Sequence, residues 1–420
     1  MSKTPHMALE EGGAAEIPGV ERVKQTVYDY GLGALFAANV FGAGSVYILA
    51  DTGANFGYLL LWTMPLAFIL DLGLHEMSGR LATIDKPLME YIRDVVGPTL
   101  GKVFAVTISF IMSFWAISNY AIGGLALTWL SPLDNVYLGT IIVAAIGLAL
   151  VELKVYDRIE AAITILILAV FGIYIVLAAG LDLSADAIAA GFVPAIIEDV
   201  GYLAAVIALI GTTVYYPNFF IQSSMRPSKG WTEMNPYRRD NLVGITIAIT
   251  LSTAVIVVSA ATLAEGEPTL TSPGEPLMAI LGEWALVVFV FAVFLATFTS
   301  ATGTLFGAGF MIPQAWGRKT VFGDVAFRRV VEGLIVLSVV CAVLILEFTN
   351  MTPVRLGIVM PAINGLIGIP LTALALYYAN KKFFDHPLWM RVCFAAIVLF
   401  MFVTAALTAQ DLYEQIIGWL

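Results

Sequence analysis

The residues able to do chemistry in this chain are few, and they sit in apolar surroundings. "VFGAGSVY" (40–47) places Gly42, Ala43, Gly44 and Ser45 inside one long hydrophobic run, and "AVIALIGTTVYYPNFFIQSS" (205–224) places Tyr215, Tyr216, Pro217 and Asn218 inside another. A glycine weakens a helix by about 1 kcal/mol relative to alanine, and a proline, lacking an amide proton and clashing with the preceding turn, costs about 3 kcal/mol in a helix interior. Both stretches therefore read as broken helices. Their freed backbone groups, with Ser45 and Asn218, would form a binding site of hydroxyl, amide and carbonyl oxygens. The four small residues fall within a single turn, which fits a break better than the one-face spacing of closely packed helices. No nucleophile–base pair or metal-ligating cluster accompanies them, so enzyme chemistry is not expected and no cofactor is implied.

The elements that must position these residues are membrane helices. Of the 420 residues, 60% are hydrophobic and 12% charged, the profile of an all-α polytopic membrane protein. Runs of about 20 apolar residues fall near 30–50, 56–79, 103–129, 136–152, 159–180, 199–224, 240–263, 282–313, 330–347, 355–379 and 388–409, eleven in all. Of the 21 Lys and Arg residues, all but Arg355 lie in alternate connecting segments, which puts the N-terminus in the cytoplasm and the C-terminus outside. Residues 1–28 are polar and acidic and carry no cleavable signal. They are expected to be a cytoplasmic tail on an integral protein of the plasma membrane. The breaks fall in the first helix of spans 1–5 and the first of spans 6–10. Five is odd, so the second set enters from the opposite side, as in a LeuT-like 5+5 inverted repeat. The expected division is 29–180, 196–379, and 380–420 for helix 11 and a short external end.

Other polar residues within spans are candidates for gating or a proton path: Asp71, His75 and Glu76 in the second span, Asn119 in the third, Gln222 in the sixth, Thr302 in the eighth and Asn364 in the tenth. Thr297, Thr299, Ser300 and Thr304 accompany Thr302, although such hydroxyls usually bond their own helix carbonyls. Arg158 with Glu160 reads as a surface pair. His6 and His386 lie in tail and loop, and Cys341 and Cys393 read as small apolar core residues. The net charge of −10 argues against a nucleic-acid partner.

"GLGALFAANVFGAGSVYILADTGANFGYLLLW" (31–62), "HEMSGRLATIDKPLMEYIR" (75–93), "DRIEAAI" (157–163), "TSATGTLFGAG" (299–309) and "AINGLIGIPL" (362–371) together resemble, in order, the NRAMP family of proton-coupled divalent metal transporters. The resemblance implies eleven helices and alternating access. It also exposes departures. Where metal-transporting members have Asp-Pro-Gly-Asn, this chain has Gly42–Ser45; where they have Met-Pro-His, it has Tyr215, Tyr216 and Pro217 before Asn218, and Gln222 stands at a second histidine position. Glu76 matches a glutamate of bacterial members, whereas Asn119 replaces acidic residues of the proton route. The resemblance implies a cation substrate; hard cations want oxygen and some transition metals want soft thioether, so with the carboxylate and thioether gone the expectation is an ion keeping part of its water, magnesium or manganese, with Ser45 and Asn218 the best ligands. Lipid surrounds the protein, and protons are the coupling ion the family implies. Two alternatives stand beside this: a small organic solute such as an amino acid, its carboxylate held by the amides of the Gly-Ala-Gly turn, and a non-transporting sensor on the same scaffold.

Overall fold

The computed structural model describes residues 33–34, 36–83, 86–153, 156–195, 197, 200–229 and 233–419, and among them it contains helices and no strand. The tail with His6, and the side chains of Arg158 and Glu160, lie outside the described residues. Among the described residues, seven helical stretches are long and apolar enough to cross a membrane: 98–130, 201–225, 234–262, 285–315, 325–348, 353–383 and 388–407. The remaining expected spans meet helices that fall short by that measure. Val136–Glu152 has 17 residues, Tyr156–Gly180 has 25 of which the side chains are described without a gap only over 167–180, Thr63–Ala82 carries Asp71, Glu76 and Arg80, and the first helix is interrupted.

Two expected boundaries need correction. The first span does not stop at residue 50: the Ala43–Phe56 helix carries on through Asp51, Thr52 and Asn55, because Asn55 Nδ2 donates to Asp51 Oδ1 one turn away (2.9 Å) and the polar end stays helical. The second helix accordingly begins at Thr63, not at 56.

The first helix packs along Met234–Thr262. Glycines permit that approach: a Cβ on Gly53 would stand 2.5 Å from the Ile256 carbonyl, and one on Gly244 would overlap the Gly33 backbone. Large apolar side chains such as Phe110, Phe291, Val336 and Leu399 point outward from the bundle, where contiguous apolar surface in water would be a liability and a bilayer is its natural cover. The buried interior instead collects the polar residues singled out above, including Ser45, Asp71, His75, Asn119, Asn218 and Asn364.

Candidate substrate site at the two helix breaks

The first break is narrower than the sequence implied. Residues 36–40 are helical, Phe41 and Gly42 leave the helix, and Ala43 already starts the second half. Gly42 is extended (φ −68°, ψ 166°), and its carbonyl accepts at once from the Ser45 amide (3.1 Å). Ala43, Gly44 and Ser45 are therefore the first turn of a half-helix instead of unwound chain. The Gly44 amide donates to Asn119 Oδ1 (3.3 Å), and Asn119 is held in turn by Nδ2 donating to the Trp115 carbonyl (2.8 Å). Asn119 thus belongs to the break, and one amide of the proposed anion cradle already has an acceptor. Gly42 has no room for a side chain: an added Cβ would overlap Ser300 and lie 3.0 Å from Asn119 Oδ1.

In the second break, Val214, Tyr215 and Tyr216 separate Val200–Thr213 from Pro217–Lys229. Pro217 is the first residue of the second half-helix, the position where its missing N–H is no loss. The Tyr215 and Tyr216 carbonyls accept from the amides of Asn218 (3.1 Å) and Phe219 (3.2 Å). Both tyrosine side chains are fully buried, so neither faces lipid. Tyr215 pairs its hydroxyl with Thr304 Oγ1 (2.8 Å) and meets the Trp115 ring edge-on; Tyr216 donates to Asn364 Oδ1 (2.7 Å). These contacts reach helices that are themselves irregular, since residues Phe298–Thr302 and Asn364–Gly368 form π turns. Such turns often occur at functional sites.

A hydroxyl pair joins the two breaks: Thr212 Oγ1 donates to Ser45 Oγ (2.7 Å). From the second helix, His75 Nε2 lies 3.1 Å from Asn218 Nδ2, and the ring is held edge-on between Phe36 and Phe219. His75 Nδ1 is 2.9 Å from the Asp71 carbonyl, an acceptor only. In neutral His75, Nδ1 therefore carries the proton and Nε2 accepts from Asn218.

Three expected site residues stand apart. Gln222 donates to Asn241 Oδ1 (2.8 Å), Thr302 pairs with Tyr120 (3.0 Å), and Glu76 is forked between Arg80 and Arg238, tying Thr63–Ala82 to Met234–Thr262 near the surface. Sequence reasoning missed Thr212, Trp115 and the π turns. The "GTT" before Tyr215 and the prolines Pro361 and Pro370 around Asn364 were the available signals.

A cavity of about 380 Å³ descends toward the breaks from the side of the 263–281 segment. It is lined by Asp51, Thr52, Asn55, Glu267 and Arg355 near its rim and by alkyl side chains below. Arg355 Nη1 and Glu267 Oε2 are paired at 3.0 Å. The lining residues Ile48 and Ala208 lie one turn along their helices from Ser45 and Thr212, which are bonded to one another. Around the breaks the polar groups on offer are neutral oxygens, amides and one imidazole; among the described residues no group of three or more His, Cys, Asp or Glu is placed to hold a metal ion. The arrangement suits reversible capture of a solute that needs few direct ligands.

The geometry has relatives. The Eremococcus coleocola manganese transporter superposes with a TM-score of 0.72 at 19% identity, covering 97% of this chain and 91% of that one. Mhp1, a nucleobase-cation-symport-1 family transporter, superposes at 0.54 and 15% identity over 91% and 92%. In sequence, the divalent metal cation transporter MntH of Deinococcus radiodurans is 24% identical over 322 residues, 71% of each chain. Residues 33–410 match the family described as natural resistance-associated macrophage protein-like. With that match spanning both helix breaks and the helices that hold them, the chain belongs to the Nramp family.

Proposed function

We propose that the chain is a secondary transporter of a divalent cation, magnesium or manganese, which it carries by alternating access while the ion keeps part of its water shell. The observation that carries this reading is the buried Ser45–Thr212 hydroxyl bond that joins the two helix breaks, with the amide side chain of Asn218 buried at the start of the second half-helix. A hard cation that sheds water reluctantly needs few protein ligands and takes oxygen. The Asn119 side chain on the Gly44 amide supports a cation over a carboxylate, since that donor is already used. On this reading eleven helices form two inverted repeats, 29–180 and 196–379, in the plasma membrane. The basic segments face the cytoplasm and the 380 Å³ cavity opens outward.

The test is uptake into liposomes holding the purified protein, with manganese, magnesium and a mixture of small amino acids offered under an imposed proton gradient. Saturable, competing uptake of the two metals, abolished by Asn218→Ala, is the expected result. Uptake that survives Asn218→Ala removes the site assignment. A second reading, transport of a small amino acid, is favoured by one observation: the cavity walls are mostly alkyl while Asp51, Glu267 and Arg355 supply both charge signs at the rim. Amino-acid uptake without any metal signal would establish it in place of the first.

A further inference from the structure

A divalent cation brought to the helix breaks needs negative charge nearby, because neutral oxygens do not offset the cost of taking it out of water. The breaks supply none, and the first cannot be given one, since Ser300 fills the space any side chain at residue 42 would occupy. The carboxylates elsewhere are mostly engaged. Glu76 is held by Arg80 and Arg238, Asp240 accepts from the Gly33 amide (2.9 Å), and Asp51 accepts from Asn55 in the open cavity.

Asp71 is different. It is 1% exposed, and neither carboxylate oxygen has a hydrogen-bond donor. Oδ1 lies 3.2 Å from His75 Nδ1, but the proton on that nitrogen is directed to the Asp71 backbone carbonyl at 2.9 Å. Asp71 and His75 are one turn apart on the same face of the Thr63–Ala82 helix, and the far side of the imidazole meets Asn218 at the second break. A single ring, whose Nδ1 is 3.2 Å from Asp71 Oδ1, therefore separates this buried carboxylate from the proposed ligand.

We infer that Asp71 is the counter-charge of the transported cation, acting from the second helix across the His75 ring, with His75 as the positioning residue that fixes Asn218. The inference rests on the cation reading above. The second helix thereby becomes a wall of the site, with the imidazole standing between the carboxylate and the proposed ligand. An intramembrane carboxylate with no hydrogen-bond donor is costly to keep, and a cation held at Asn218 offsets part of that cost.

The experiment is equilibrium binding of manganese and of magnesium to the purified full chain by calorimetry, for wild type, Asp71→Asn and Asp71→Glu, with the thermal midpoint of each measured without metal. Asp71→Asn is expected to weaken divalent binding by at least about 30-fold, the lower end for removing one partner of a buried charge pair. The same variant should be as stable as wild type or more so, because the buried charge is gone. Asp71→Glu should recover most of the affinity. Weaker binding together with greater stability is a signature that a merely structural side chain does not give. Wild-type binding that Asp71→Asn leaves within threefold, or that falls only in step with a lower midpoint, overturns the inference and leaves the cation reading standing. A wild type that binds neither metal overturns both.

Discussion

Gly42→Ala tests how tightly the first break is packed. The new Cβ would stand 3.0 Å from Asn119 Oδ1, with Ser300 Cβ and Oγ closer still, and Ser300 is itself fully buried and donates to the Asn39 carbonyl (3.2 Å). Relief requires the 298–302 turn or the first helix to move, and overpacking of this kind costs about 1–3 kcal/mol. The upper half of that range is expected, since Ser300 Cβ, which no rotamer change can move, is among the atoms overlapped. The magnitude makes a sharper point through its rescue. Ser300→Ala removes the hydroxyl but leaves the Cβ that clashes, whereas Ser300→Gly removes both, at about 1 kcal/mol for a glycine in a helical segment. The assay is a double-mutant cycle on thermal stability in detergent, with metal uptake into liposomes alongside. Gly42→Ala should lower both readouts, Ser300→Ala should fail to restore them, and Ser300→Gly should restore stability to near that of Ser300→Gly alone. A neutral Gly42→Ala, or equal rescue by the two serine variants, would refute the packing argument.

Tyr216→Phe removes the 2.7 Å bond to Asn364 Oδ1 and leaves that oxygen buried without its donor, so a loss of about 1–3 kcal/mol is expected, read as a lower thermal midpoint. His386, in the loop before Leu388, is held below the usual histidine range by burial first, then by Arg80 and Arg391; its Nδ1 accepts from Arg80 Nη1 (3.3 Å), which fixes the neutral ring. The unfolded chain therefore binds a proton more readily than the folded one. The stability His386 contributes is fully present above its unfolded pKa of about 6.5 and declines as pH falls from there through the lower folded value. His386→Gln should flatten that acid-side decline in midpoints measured from pH 7.5 to pH 5; an unchanged slope would count against it.

The two breaks were legible because their cause is local. Gly42, Gly44 and Pro217 disfavour a helix whatever surrounds them, and both helices do part there. The extent of the first break was not legible, because Ala43–Ser45 return to helix through a bond to Gly42 that glycine content does not foretell. Residues 51–55 fall between the first two apolar runs, yet an Asp51–Asn55 pair keeps them helical. Partners distant in sequence were hidden as well. Nothing near residue 119 says that its side chain will meet the Gly44 amide, and nothing near Asp71 says that its carboxylate will be buried without a donor.

The π turn at Phe298–Thr302 has a consequence for how this helix tolerates change in length. Its hydrogen bonds close one residue later than those of an α-helix, so the segment carries a surplus residue that an ordinary turn would not hold. Deleting one residue from 285–297 would swing everything beyond it around the axis by about 100° and tear Thr304 from Tyr215. A deletion inside 298–302 has a second outcome open to it: the segment can regularise into α-helix, with the ladder of backbone bonds intact and only the bearing of the two halves altered. Length variation in relatives should concentrate at this turn, and the direction in which Thr304 and the "GTLFGAG" face point is set by whether the surplus residue is kept.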